Sequence, residues 1–537
     1  MKHTYTFFNK YISGPFTIPS GVVTTEVSTI ERIAHSIPQI GILTTKSIRI
    51  TPKDGNREPV FARYQEEPNS FVNAVGLTNP GAEVFAKRLK EITIPKDKFL
   101  LISIFGATVE EFYKAAAVLL PYADGFELNV SCPHAKGYGQ AICQDLDLVG
   151  AIIKKVKTLG VPVLVKISPN IDVGNAVQMC LKSGVDGFVA INTWGPKPQE
   201  FDGHPILTNG VGGVSGQAIR DMGIQTVKTI RSLTDVPIIG CGGIAAADDV
   251  HLYKKAGAEY FGIGSALINM DTKAMAFYFK ALEQDLKKKT NTAGNYIHTY
   301  ENFTYHKTTI QHVEHMDTTH AVFTIHDVLS IQPGQFIFLW IPGVGEKPFS
   351  VLDTNPTSIY VQLRGCFTRA LLELKQGDTL YWRGPYGKPV RTKGKTLLVG
   401  AGTGIAALYL FAKTQKNTYA LLGAKTKNQI VYHDAFAATC KNMWIATSQE
   451  GEQIRHVTDM LPEVMKKVKP TTVLICGPEQ MVYETIAIAK KYLPETHILS
   501  SIEFVTKCGV GICGSCATKK GVRNCVDGTF FPPNHIL

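Results

Sequence analysis

Four cysteines near the C-terminal end, Cys508, Cys513, Cys516 and Cys525, are spaced C-x4-C-x2-C-x8-C. The first three carry the spacing of plant-type [2Fe–2S] loops, in which a turning backbone wraps thiolates around two irons, and Gly509, Gly511 and Gly514 supply the freedom such a turn needs. A four-cysteine zinc site is the competing chemistry, but those sites present paired C-x2-C knuckles and only one such pair is here. A different thiol, Cys132, stands in Glu127-Leu128-Asn129-Val130-Ser131-Cys132-Pro133-His134, ahead of Gly137-Tyr138-Gly139. A lone cysteine is commonly a small packed hydrophobe. Beside amides and before a glycine-rich loop, however, its thiolate can abstract a proton next to a carbonyl while the loop acts as a lid.

Glycine clusters mark candidate phosphate sites. Gly212-Gly213-Val214-Ser215-Gly216, Gly240-Cys241-Gly242-Gly243 and Gly262-Ile263-Gly264-Ser265 flank apolar runs and could cradle a phosphate dianion on backbone N–H groups, which points to FMN. Lys166 is placed to offset negative charge on a reduced flavin ring. Gly400-Ala401-Gly402-Thr403-Gly404 follows another apolar run and precedes a helix-like stretch, the arrangement that lets a dinucleotide pyrophosphate approach a helix N-terminus. Its companion is Cys476-Gly477-Pro478, after the run 472–475.

The elements that must position these groups follow from pattern. Eight runs rich in β-branched and apolar residues, at 17–22, 40–46, 100–105, 125–130, 163–167, 187–191, 236–240 and 260–264, are each followed by a helix-like segment. Alternating strand and helix over this length predicts a closed (β/α)8 TIM barrel, whose chemistry sits at the C-terminal ends of the strands. Thr45-Lys46-Ser47, Asn129, Lys166 and Asn192-Thr193 fall at those ends. The polar stretch 285–295 reads as a linker. Alternating strands over 300–392 predict a small antiparallel β-barrel, and 394–497 a nucleotide-binding α/β domain. The resulting boundaries are 1–290, a linker at 291–300, 301–393, 394–497 and a cysteine tail at 498–537.

A chain of 537 residues is long enough for several cores, and with 44% hydrophobic and 19% charged residues it has a globular composition. The net charge of +11 comes from scattered basic residues without interleaved aromatics, which speaks against nucleic acid and for a solvated surface with anion sites. The N-terminal residues lack the apolar core of a signal peptide, and the longest apolar stretch is broken by glycines, so a soluble cytoplasmic protein with no membrane partner is expected. Eleven cysteines without a secretion signal imply reduced thiols.

Residues 1–290 resemble the catalytic subunit of class 1 dihydroorotate dehydrogenases, through Thr45-Lys46-Ser47, Gly55-Asn56, Asn73-Ala74-Val75-Gly76-Leu77-Thr78-Asn79-Pro80-Gly81, Asn129-Val130-Ser131-Cys132-Pro133 and Gly212-Gly213-Val214-Ser215-Gly216. Residues 300–537 resemble the electron-transfer subunit of the NAD-linked class 1B enzymes, a ferredoxin-reductase-like module. Its flavin motif reads Lys347-Pro348-Phe349-Ser350, with lysine in place of the usual arginine and so without the bidentate fork, and Gly365-Cys366-Phe367-Thr368 is the FAD-phosphate turn. The chain is therefore expected to be a natural fusion of two polypeptides.

The resemblance implies roles residue by residue. Cys132 is the base toward C5 of dihydroorotate, with hydride leaving C6. Lys46, Asn73, Gly76, Leu77, Asn129, Asn192 and Thr193 hold substrate, with His134 beside them. Ser20, Gly21, Lys46, Ser47, Asn129, Lys166, Ile191, Gly216, Gly242, Gly243, Gly264 and Ser265 hold FMN. FAD falls to Lys347, Pro348, Phe349, Ser350, Gly365 and Thr368; NAD to Gly400, Gly402, Thr403, Gly404, Cys476, Gly477 and Pro478; the cluster to the four tail cysteines. A homodimer through the barrel is implied as well. The family pattern has asparagine where His134 stands, and Ser-Cys-Pro-His resembles dihydropyrimidine dehydrogenases; those carry a different flavin domain and [4Fe–4S] clusters. Lys425 and Lys427 leave NAD against NADP open.

Overall fold

The computed structural model describes residues 5–130, 144–297, 301–449 and 454–537. The chain divides into two compact units, Met1–Glu301 with Val510–Ala517, and Asn302–Gly509 with Thr518–Leu537.

In the first unit all eight expected runs are strands: β1 Phe16–Ile18, β2 Ile40–Thr44, β3 Phe99–Ile104, β4 Gly125–Leu128, β5 Val163–Ile167, β6 Gly187–Ala190, β7 Ile238–Cys241 and β8 Tyr260–Gly262. Each pairs in parallel with its neighbours and β8 closes on β1, giving the barrel. Val163–Ile167 matches the sequence reading at both ends, and the other strand ends differ from it by at most four residues. The largest difference is at β1, where Pro19 has no N–H to continue the ladder. Strands buried on both faces read as continuous apolar runs rather than alternating ones, and β2 to β7 have every residue buried.

The intervening helices start where a side chain caps them. Thr108, Asp145, Asp172 and Asp271 each accept an N–H from the first turn, at 3.2, 3.0, 3.1 and 2.7 Å, a contribution of about 1 kcal/mol each. In Leu146–Lys157 the buried positions Val149, Ile152, Ile153 and Val156 recur at helical spacing, so one stripe faces the barrel. The hairpin Tyr5–Phe7/Lys10–Ile12 places Phe7 and Ile12 in one apolar cluster with Phe99, Leu101, Leu164 and Val189.

Two features differ from the sequence reading. The glycine cluster 212–216 lies within a strand, Val211–Gly216, paired with Ser70–Asn73 in a four-stranded sheet that also contains Phe61–Arg63 and Trp194–Pro198. The expected linker at 285–295 begins inside the helix Thr272–Lys288. Buried Asp285 folds the chain back by accepting from Thr290 Oγ1 and from the Ala293 N–H at 2.7 Å, which holds its carboxyl below the ordinary range.

The second unit has two parts. His306–His315, His320–Ile325, Thr357–Gln362, Gly345–Thr354, Phe336–Ile341 and Thr379–Tyr386 close, in that order, into an antiparallel barrel. Thr396–Ala401, Thr418–Ala424, Met443–Thr447, Thr472–Cys476 and Ile498–Ser501 form a parallel sheet in the order 3-2-1-4-5. The antiparallel barrel contains a fully buried ion pair: Arg383 donates to both oxygens of Glu346 at 2.6 and 2.7 Å, lies over Phe338, and donates to the Tyr386 hydroxyl and to the Cys508 carbonyl at 2.8 Å. Tyr305 donates to Glu346 at 2.6 Å.

Removing one member of such a pair leaves a desolvated charge, whereas removing both does not. Arg383→Met is expected to destabilise the second unit by about 3–5 kcal/mol, and Glu346→Leu combined with it to recover most of that loss, read as midpoints in denaturant titration.

Candidate active site

At the C-terminal ends of the barrel strands the first unit opens a cavity of about 1050 Å³, its mouth included. Every described residue assigned from sequence to substrate or FMN lines it: Ser20 and Gly21 after β1, Lys46 and Ser47 after β2, Asn73, Gly76 and Leu77 from the excursion that follows, Asn129 after β4, Lys166 in β5, and Ile191, Asn192 and Thr193 after β6. Gly216, Gly242, Gly243, Gly264 and Ser265 complete the set. Cys132 and His134 lie outside the described residues.

Hydrogen bonds order the polar wall. Asn129 donates to Ser47 Oγ at 2.8 Å, Asn192 donates to Asn129 Oδ1 at 3.3 Å, and the Thr193 N–H donates to Asn192 Oδ1 at 2.9 Å. Ser47 also joins Ser20 at 3.0 Å and Ser103 at 2.9 Å, and Ser103 donates to buried Glu127 at 2.7 Å. Ser103 and Glu127 were not expected from the sequence; their alternation within β3 and β4 toward the barrel interior is the signal that could have found them. Two cationic side chains are buried in the cavity wall, Lys46 at 7% exposure and Lys166 at 4%. Charges of that kind persist out of water where an anion or hydrogen-bonding ligand meets them.

Cys241 also lines the cavity. Burial pushes its thiol up to about 11 in spite of Lys166 nearby, and it donates to the Ile191 carbonyl at 3.1 Å. At neutral pH it is a protonated, inert group rather than a second base. The turn after β7 suits a phosphate. Gly243 has φ +72°, and a Cβ there would meet the Gly216 carbonyl and Arg220 Cβ at 2.8 Å, so only glycine fits. The Tyr253 hydroxyl, kept protonated by burial, donates to the Gly242 carbonyl at 2.7 Å and fixes the turn. The cradle, the two buried ammonium groups and the cavity volume fit FMN.

Phe61, Phe71, Val75 and Ser215 line the cavity from the antiparallel excursion, and Ile512 from the cysteine loop. No local motif marks Phe61 or Phe71, because they reach the site through pairing between distant segments.

In the second unit, Lys347, Pro348, Phe349 and Ser350 lie along Gly345–Thr354, with Lys347 exposed and Phe349 beside Phe367 at 6.1 Å. Thr368 Oγ1 accepts from the N–H groups of Arg364 and Gly365 at 2.8 and 3.0 Å, organising the start of helix Cys366–Glu373, and the space beside Gly365 is open. One exposed lysine on an extended strand and an open helix start fit a dinucleotide flavin.

The strand order of the parallel sheet reverses between Thr396–Ala401 and Thr472–Cys476, the point at which such sheets bind nucleotides. Gly400, Gly402, Thr403 and Gly404 follow one strand, and Cys476, Gly477 and Pro478 end the other. Their glycines differ in role: a Cβ on Gly404 would meet the Cys476 carbonyl at 2.3 Å, so it serves close packing, whereas Gly402, with φ +54°, faces open space.

The tail cysteines are buried, at 0% for Cys508, 4% for Cys513, 1% for Cys516 and 2% for Cys525, and none is joined in a disulfide. Among the described residues no group of three His, Cys, Asp or Glu side chains is arranged around a single ion; a [2Fe–2S] cluster divides its four thiolates between two irons. Buried thiols on glycine turns of positive φ fit that chemistry. No helix among the described residues is long and apolar enough to cross a membrane.

A family model described as dihydroorotate dehydrogenase matches residues 3–289, more than half of the chain. Over 259 residues the chain is 38% identical to dihydroorotate dehydrogenase B (NAD(+)), catalytic subunit, of Methanocaldococcus jannaschii, covering 47% of this chain and 83% of that one. The protein of the same name from Methanocella arvoryzae is 40% identical over 262 residues, covering 48% and 84%. A chain from the structure of an NADH-dependent reduced ferredoxin–NADP oxidoreductase is 27% identical, covering 42% of this chain and 88% of that one, with a TM-score of 0.39. The closed parallel barrel, the polar cavity at its C-terminal end and a match across the whole of that barrel lead to one conclusion: the chain belongs to the dihydroorotate dehydrogenase family.

Proposed function

We propose that this chain oxidises dihydroorotate to orotate, a step of de novo UMP biosynthesis, and delivers the electrons to NAD+ within a single fused polypeptide. The observation that carries the reading is the convergence of Lys46, Asn129, Lys166 and Asn192 on one cavity beside a glycine phosphate cradle. In this reading residues 1–290 are catalytic, 291–300 connect, 301–393 bind FAD, 394–497 bind NAD and 498–537 carry the cluster. The enzyme works in the cytoplasm as a barrel-mediated homodimer.

The chemistry supplied by the bound groups is hydride acceptance at FMN, single-electron carriage by [2Fe–2S] and hydride donation to NAD+ from FAD. The protein's own residues do the rest. Cys132 takes the C5 proton as its thiolate, while the hydride leaves C6, so one double bond forms and one proton and one electron pair depart. The Asn129 and Asn192 amides, bridged to each other, offer donors and acceptors complementary to a pyrimidine ring. Lys46 meets the substrate carboxylate, with Asn73, Gly76, Leu77, Thr193 and His134 around the ring. Lys166 offsets the negative charge that develops on the flavin side of the cavity. Cys508, Cys513, Cys516 and Cys525 hold the cluster.

Anaerobic addition of dihydroorotate to cofactor-replete protein is expected to bleach flavin and [2Fe–2S] absorbance, and NAD+ to restore it. Bleaching by dihydrouracil alone would instead make the barrel a dihydropyrimidine enzyme adapted around His134. Cys132→Ser is expected to slow dihydroorotate-driven bleaching by about 10²–10⁴-fold with flavin content unchanged. Gly243→Ala, which sets a methyl against the Gly216 carbonyl, is expected to abolish FMN retention while FAD content, measured by chromatography of the released flavins, stays the same.

A further inference from the structure

The cysteine loop Val510–Ala517 packs with the first unit and contributes a side chain to its cavity: Ile512, 1% exposed, lines the same wall as Pro19, Gly21 and Val22. The loop is held there by backbone hydrogen bonds to segments that follow β1 and β8. The Val23 N–H donates to the Ile512 carbonyl at 2.6 Å, and the Asn269 N–H donates to the Val510 carbonyl at 2.9 Å. Thr25 Oγ1 donates to the Cys513 carbonyl at 2.5 Å. The fit is close, since a Cβ on Gly514 would meet the Val23 carbonyl at 2.2 Å.

The barrel side of this contact is strained. Val23 has φ +62° while fully buried, a conformation that β-branched residues rarely adopt and that persists only where surrounding structure over-determines it. One short segment thus does two things: Pro19, Ser20, Gly21 and Val22 line the cavity, and Val23 and Thr25 grip the loop. Thr24 ties the segment to the site as well, its carbonyl accepting from the Lys46 N–H at 3.1 Å.

We propose that Ile512 is a flavin-contacting wall residue and that the cysteine loop is an integral wall of the FMN site, so that flavin retention in the barrel depends on the seating of residues 510–517. The inference rests on the flavin reading of the cavity. Its chemistry is apolar: the Ile512 side chain covers the flavin on the side where the cavity would otherwise open to water, and truncating it leaves a gap that water fills.

The test measures FMN dissociation from the full-length, cofactor-replete chain by the fluorescence of released FMN on dilution. FAD content and the visible circular dichroism of the [2Fe–2S] cluster are followed in parallel. Ile512→Ala is expected to weaken FMN binding about tenfold, Ile512→Leu to restore it, and Thr25→Val, which removes the grip on Cys513 without touching the cavity, to weaken it severalfold. FAD content stays constant throughout. Wild-type FMN affinity in both Ile512→Ala and Thr25→Val overturns the inference and leaves the flavin reading intact; a wild-type chain that holds no FMN overturns both. If Ile512→Ala loses the cluster signal together with FMN, recovery of both in Ile512→Leu supports the coupling, and recovery of neither overturns it.

Discussion

The parallel hydrogen-bond ladder that closes β8 onto β1 is the constraint on which the first unit depends. Closure gives all eight strands one common C-terminal end, and whatever follows each strand is delivered there regardless of its separation in sequence. Ser20, Lys46, Asn129, Lys166, Asn192 and Gly243 share a cavity for this reason alone. The apolar lower layer around Phe7, Phe99, Leu164 and Ile239 fills the barrel interior, so the polar groups are confined to one end.

That confinement sets the electrostatics. Lys46 and Lys166 are kept from water by the same fold that positions them, and the Ser47–Asn129–Asn192 chain fixes amide orientations that solvent would otherwise leave free. Burial has the opposite effect on Cys241, which it holds neutral and hydrogen-bonded to Ile191. Thiols in this protein thus divide by surroundings, with desolvation the main cause that silences Cys241 and Cys476, while the tail thiols sit on glycine turns suited to metal.

The second unit meets the same problem of buried charge in a different way. Arg383 and Glu346 neutralise each other inside the antiparallel barrel, and the guanidinium uses its remaining donors on Tyr386 and on the backbone of Cys508. A strand that alternates inward and outward places Glu346 in the core and Lys347 at the surface, so adjacent residues serve stability and the candidate flavin strand respectively.

Much of this was readable from residues in order. Continuous apolar runs announce buried parallel strands, glycines after them announce turns, and a residue's place after a strand already tells which end of a barrel it will occupy; hence Lys46, Asn129, Lys166 and Gly243 could be named from sequence. Local pattern failed where pairing is long-range. Gly212 to Gly216, in sequence only a glycine cluster, form a strand against Ser70–Asn73, because glycine tolerates many backbone conformations and only the partner strand selects one. Phe61 and Phe71 carry no motif and Ile512 is only a spacer between two cysteines; they reach the cavity through sheet register and a docked loop. Element types, the strand ends that bear chemistry and the cysteine spacing follow from residue order alone, since they depend on side-chain periodicity and backbone freedom within a few residues. Which distant segments wall the cavity, which thiol burial silences and which cation is paired were decided only by tertiary structure, because desolvation and contact are properties of neighbours in space.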